Sequence, residues 1–245
     1  MSSLLQEMDP AHVGCLIVPA LGSPRRPRVY RVVTWFIDLV GSLFARRDYR
    51  VAPLPAEGPL LVAANHISWV DPLYLAAALT RAGRTPRFVI MASVLRAPVV
   101  GPILRYFDHV GIDRARGTDP ALLEPVRAAL RRGECVVLYP EGGVTQREDY
   151  RPGRPLPGLG VLAAELGVPV LPVAQWGAQH VVGRGRLTWR AWPPQRAEVV
   201  VEALPLVPPP EGSGVLAARR FTATVLDAVA ARVEELRCLP TSSDA

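Results

Sequence analysis

The segment Asn65-His66-Ile67-Ser68-Trp69-Val70-Asp71 places an imidazole and a carboxylate five positions apart. A neutral imidazole can take the proton of an alcohol as that alcohol attacks an acyl carbonyl. A carboxylate on the other ring nitrogen holds the tautomer and stabilises the imidazolium, with a substrate hydroxyl standing where a catalytic triad has its serine. On one regular helix the two side chains would diverge; across a turn they can meet. Taken alone, the same pair also reads as a helix-capping aspartate beside an ordinary histidine.

Three further segments bear on that choice. Val110-Gly111-Ile112-Asp113-Arg114 is a short strand ending in an arginine, whose planar fork suits a phosphate as well as a surface ion pair. Val136-Val137-Leu138-Tyr139-Pro140-Glu141-Gly142-Gly143-Val144-Thr145 is an apolar strand followed by a turn with an acid and two glycines. Glycines let backbone N–H groups approach an anion closely, and they also simply make tight turns. Gly167-Val168-Pro169-Val170-Leu171-Pro172-Val173 is an apolar strand with two prolines, structural by itself.

The elements that must carry these residues follow from hydropathy pattern. Leu60–Ala64, Arg87–Met91, Val110–Ile112, Cys135–Tyr139, Val168–Ala174 and Val199–Ala203 read as strands. Between them Pro72–Arg81, Pro120–Arg132 and Leu159–Leu166 read as helices, and Gly214–Leu239 as a closing helix with Leu216, Val225, Val229, Val233 and Leu236 on one stripe. This alternation predicts an α/β fold, a central mixed sheet flanked by helices. His66 would then sit where a core strand leaves the sheet, with Asp71-Pro72 opening the next helix. Ahead of the sheet, Val29, Val33, Phe36, Val40 and Leu43 predict an N-terminal amphipathic helix over 29–46, closed by Arg46-Arg47. Its aromatic residues Tyr30 and Trp35 and its arginines suit a helix lying at a membrane interface. The expected division is residues 1–50 as linker and interfacial helix, and 51–245 as the α/β domain.

Composition narrows the function classes. Of 245 residues, 49% are apolar and 20% charged, enough for a sizeable core. Net charge is +6 and the chain has no lysine, so arginine alone supplies the basic side chains. A P-loop, which needs lysine, is therefore excluded, and no Gly-x-Ser-x-Gly elbow signals a serine hydrolase. The basic balance favours anionic lipid headgroups or phosphorylated substrates, because no nucleic-acid-binding motif is present. Cys15, Cys135 and Cys238 are odd in number and far apart, so neither a disulfide framework nor a metal site is signalled. Residues 1–12 lack the basic and apolar regions of a signal peptide.

Taken in order, the segments at 65–71, 111–114, 139–145 and 168–173 resemble the four blocks of the glycerolipid acyltransferase family, which includes the 1-acylglycerol-3-phosphate acyltransferases. The family's blocks run Asn-His-x4-Asp, Gly-x-x-x-Arg, Phe-Pro-Glu-Gly-Thr-Arg-Ser and Val-Pro-x-x-Pro-Val. The resemblance implies His66 as general base, Asp71 as its orienting partner, and Arg114, Glu141 and Gly142 as residues binding a lysophospholipid acceptor. It implies acyl-CoA or an acyl carrier protein thioester as donor substrate, no cofactor or metal, and attachment at the cytoplasmic face of the cell membrane, peripheral or monotopic. Here the second block is one residue short, with two positions between Gly111 and Arg114; Tyr139 replaces the family's Phe, Thr145 its Ser, and Gly143 and Val144 its Thr-Arg pair. The loss of that arginine keeps two other expectations open: a different lysolipid or alcohol acceptor, or a catalytically inactive membrane-associated binding protein of the same fold.

Overall fold

The computed structural model describes residues 27–113, 120–183, 186–187, 196–212 and 214–238. In chain order these form α1 (Pro27–Gly41), β1 (Ala45–Arg50), β2 (Leu60–Ala64), α2 (Asp71–Arg81), β3 (Pro86–Met91), α3 (Ala92–Leu95), α4 (Val100–Tyr106) and β4 (Val110–Ile112). A 3-10 turn at Pro120–Leu123 then leads into α5 (Glu124–Arg131), β5 (Cys135–Leu138), α6 (Gly158–Leu166) and β6 (Val170–Trp176). The chain closes with a small hairpin, β7 (Val182–Gly183) and β8 (Arg186–Leu187), then β9 (Ala197–Ala203) and α7 (Val215–Cys238).

Seven strands make one mixed sheet in the order β1-β9-β6-β2-β5-β3-β4. Its centre is parallel: β2 pairs with β5 and β6, and β5 with β3. β9 runs antiparallel to β6 and parallel to the edge strand β1. All five residues of β2 are buried, as expected for a strand covered on both faces. Period-two alternation then sorts the core. Leu60, Val62 and Ala64 pack with Tyr30 of α1 and Tyr74, Leu75 and Leu79 of α2. Leu61 and Ala63 pack on the opposite face with Val126 and Leu130 of α5, Leu159 and Leu162 of α6, and Val225 of α7.

Three elements depart from the hydropathy reading. The first helix stops at Gly41, and Arg46-Arg47 lie in β1 rather than at a helix end. The segment before residue 51 thus contributes a strand to the sheet. β1 lacks an apolar run because it is an edge strand whose polar side chains find partners. Asp38, buried on α1, receives the Tyr49 hydroxyl (2.7 Å) and the guanidinium groups of Arg47 and Arg81, while Arg50 pairs with Glu202 (3.1 Å). Second, the short helices α3 and α4 give no amphipathic signal; Val99, Val100, Ile103 and Tyr106 in and beside them are all exposed. Third, Leu216 is exposed, and Ala218 and Thr222 take the inward positions at the start of α7. That end packs tightly. A Cβ on Gly160 would lie 2.2 Å from the Ala218 carbonyl oxygen, so only glycine lets α6 and α7 cross there.

Candidate active site

β2 and β5 are parallel neighbours, so the loops after them emerge side by side at the carboxyl edge of the sheet. Asn65, the first residue beyond β2, is latched to Gln175 of β6 by three hydrogen bonds. The Asn65 side chain donates to the Gln175 carbonyl (2.9 Å) and accepts its N–H (2.8 Å), and Gln175 Nε2 donates to the Asn65 carbonyl (2.9 Å). His66 is therefore presented from a fixed stem.

The imidazole and carboxylate meet across the turn. His66 Nδ1 lies 2.9 Å from Asp71 Oδ2, and the same oxygen accepts the N–H groups of Ile67 and Ser68, both at 2.7 Å. Asp71 is the first residue of α2 and does not cap it; Val70 holds the cap position without a side-chain bond. The carboxylate turns back into the preceding loop because three donors converge on it there. Full burial pushes the Asp71 carboxyl above its usual range, while His66 and the two N–H groups pull it back toward the anion. Its Oδ1 is buried without a hydrogen-bond partner among the described residues. With Nδ1–H directed at Asp71, Nε2 is the nitrogen left for a substrate proton.

The loop after β5 frames the other side. The Tyr139 ring stacks on the imidazole at 4.1 Å between centroids and 18° between planes. Glu141 accepts the His66 N–H at Oε1 (3.0 Å) and the Gly153 N–H at Oε2 (2.8 Å), so its carboxylate ties two loops together. Gly142 has φ +84° and donates its N–H to the Tyr139 carbonyl (2.8 Å); a left-handed turn of this kind favours glycine. Thr145 donates its N–H to the His66 carbonyl (2.8 Å). His66, Glu141, Gly142, Gly143 and Val144 all line a cavity of about 1860 Å³ whose remaining walls are mostly apolar.

Residues 45–176 match the family model described as acyltransferase. The chain belongs to the acyltransferase family. It is 30% identical over 156 residues to a probable 1-acyl-sn-glycerol-3-phosphate acyltransferase of Mycoplasma genitalium, covering 63% of this chain and 56% of that one. It is 33% identical over 156 residues to a lyso-ornithine lipid O-acyltransferase of Pseudomonas aeruginosa, covering 62% and 55%. The chain thus spans a little over half the length of these relatives. The 1-acyl-sn-glycerophosphate acyltransferase PlsC of Thermotoga maritima shares the fold, with a TM-score of 0.66 and 23% identity over 90% of this chain and 86% of that one.

Within this acyltransferase fold, four of the five site residues expected from the sequence converge: His66, Asp71, Glu141 and Gly142. Arg114 lies outside the described residues. Glu141 has both oxygens on main-chain N–H groups, and the Gly142 N–H is used within its own turn. The N–H groups of Gly143 and Val144 have no partner among the described residues. Gln175 and Gly153 were missed by sequence reasoning. A glutamine inside the apolar run Val170–Trp176 is the signal that would have pointed to Gln175, since buried polar side chains are retained where they are hydrogen-bonded.

His109, which also lines the cavity, accepts the Phe88 N–H at Nδ1 (3.2 Å) and packs edge-on against Phe88 and Tyr30. Burial, with Arg87 adding to it, pushes its pKa down to about 4. In the unfolded chain histidine takes its proton near pH 6.5. Between those values the unfolded state binds more protons, so stability falls as pH drops, by about 3 kcal/mol from this group. Urea unfolding at pH 7 and pH 4.5 should show a smaller loss for His109→Phe than for the parent chain. Equal losses would contradict the assignment.

Proposed function

We propose that the chain transfers a fatty acyl group from an acyl-CoA or acyl carrier protein thioester to the free hydroxyl of a lysophospholipid, with 1-acylglycerol-3-phosphate as the acceptor. The observation that carries this reading is the His66–Asp71 pair opening onto a large, mostly apolar cavity. His66 Nε2 takes the hydroxyl proton as the acceptor oxygen attacks the thioester carbonyl. The resulting oxyanion is met by N–H donors, for which Gly143 and Val144 are the unpartnered groups lining the cavity. Collapse expels the thiolate, which recovers the proton from the imidazolium. No acyl-enzyme forms, because the base activates the acceptor itself. In this reading Arg114 and Gly142 bind the acceptor, and Glu141 serves it by holding the His66 loop.

The test is acceptor-dependent thiol release by the purified protein, with each donor and a panel of lysolipids. Absence of release with every combination would overturn the proposal. One observation favours a second acceptor class: Val144 lines the cavity where the family's third block carries arginine. A lysolipid without a phosphomonoester, such as the lyso-ornithine lipid after which the Pseudomonas relative is named, would fit that change. The intact pairing of His66 with Asp71 argues against an inactive binding protein.

The reading includes peripheral attachment at the cytoplasmic face of the cell membrane. No helix among the described residues is long and apolar enough to cross a bilayer. α1 turns Tyr30, Thr34 and Asp38 inward and leaves Val32, Trp35 (62% exposed), Phe36, Leu39 and Val40 outward, with Arg28 and Arg31 exposed beside them. An apolar helix face flanked by arginines suits an anionic lipid surface. Sedimentation with anionic vesicles should weaken with added salt and drop several-fold in a Trp35→Ser, Phe36→Ser double variant. Both residues are exposed, so the fold should survive; undiminished binding by that variant would remove α1 from the membrane contact.

A further inference from the structure

The cavity reaches both faces of the sheet. Phe88 and Val89 are successive residues of β3, so their side chains point to opposite faces, yet both line it. Phe88 belongs to the core under α1 and α2, whereas Val89 packs with the core under α5, α6 and α7. One arm is therefore walled by α1 and α4, through Val33, Ile37, Ile103 and Leu104. The other is walled by α6 and the start of α7, through Gly158, Val161, Val215 and Arg219. At about 1860 Å³ the whole exceeds the roughly 300–1,000 Å³ usual for one small ligand, which leaves room for two substrates.

The two arms differ in charge. Among the described residues the cavity-lining arginines are Arg127 and Arg219, both in the second arm. Arg127 is held by Glu165 at 2.7 Å and Glu124 at 3.6 Å. Arg219 is exposed and has no carboxylate partner among the described residues. Its place is set by the close crossing of α6 and α7. Ala218 and Thr222 are buried against α6, and Thr222 Oγ1 accepts the Gly160 N–H at 3.1 Å. The turn carrying Arg219 is thus fixed, and from it Arg219 lines the cavity. A cation without a counter-charge, in a cleft with low-dielectric walls, attracts an anion from outside the chain. The planar guanidinium fork suits a phosphate in particular.

We propose that Arg219 binds a phosphate group of a substrate, supplying from the C-terminal helix the cation that the Val144 position lacks. The phosphate has two sources, the phosphomonoester of the acceptor or the coenzyme A part of the donor; this choice of ligands rests on the acyl-transfer reading. Calorimetric titration of the full chain with glycerol 3-phosphate and, separately, with coenzyme A distinguishes them. Arg219→Gln should weaken one of the two by about tenfold or more, as expected for loss of a charge-assisted bond. The ligand that is weakened names the source. Arg220→Gln, its exposed neighbour outside the cavity, should leave both affinities unchanged. Unchanged binding in Arg219→Gln, equal losses in the two variants, or no binding of either ligand by the parent chain would overturn the proposal. The titration requires no turnover. Arg219-dependent binding by a chain that releases no thiol would end the acyl-transfer reading and leave the phosphate site standing.

Discussion

His66→Ala should lower acceptor-dependent thiol release by about a thousandfold, within the range that a positioned general base contributes. The effect should fall on kcat, because the imidazole acts on the proton in flight and not on the bound lipid. The variant should remain folded. His66 is held mainly through its main chain, whose N–H goes to Glu141 and whose carbonyl receives the Thr145 N–H. The alanine variant keeps both bonds. The check is single-substrate kinetics alongside a urea unfolding transition. A variant that unfolds like the parent yet turns over at the parent's rate would show that another group takes the proton.

The second large effect is expected at Asp71, where two substitutions separate chemistry from folding. In Asp71→Asn the amide oxygen can take the place of Oδ2 and keep the bonds from Ile67, Ser68 and His66. The NH2 group then occupies the position of Oδ1, a buried atom that makes no hydrogen bond to a described residue. Stability should fall by about 1–3 kcal/mol, the cost of one unsatisfied buried donor. Turnover should fall by two to three orders of magnitude, because a neutral amide does not stabilise the imidazolium. Asp71→Ala leaves two buried main-chain N–H groups without an acceptor and should cost more stability than the asparagine. If Asp71→Asn kept turnover within twofold, the carboxylate would be a loop anchor only.

The segments legible from sequence were those in which one physical signal dominated. β2 is buried on both faces, so Leu60–Ala64 is an unbroken apolar run and its end marks the position of His66. The Asn65–Asp71 turn was legible because Asp71-Pro72 marks where α2 begins, although the carboxylate faces away from the helix it opens. β1 was hidden because its residues are held by ion pairs made across the sheet, and no local pattern encodes a partner such as Glu202, 152 positions away. Glu141 was found through its neighbours in the loop, but its grip on His66 and Gly153 depends on two other loops arriving at the same place. Arg219 escaped for a similar reason. It sits in a helix whose apolar stripe reads from sequence as starting at Leu216, and only the α6–α7 crossing places it at the cavity.

The cluster around Asp38 bears on how the cavity can change shape. One buried carboxylate joins α1 to β1 through Arg47 and Tyr49, and to α2 through Arg81. α1 is therefore riveted to the sheet, and the wall it forms cannot swing as a flap. The facing wall, α3 with α4, is two short exposed helices without side-chain caps. A long chain entering the first arm lies between one wall pinned to the sheet by a buried carboxylate and one made of two short, exposed helices.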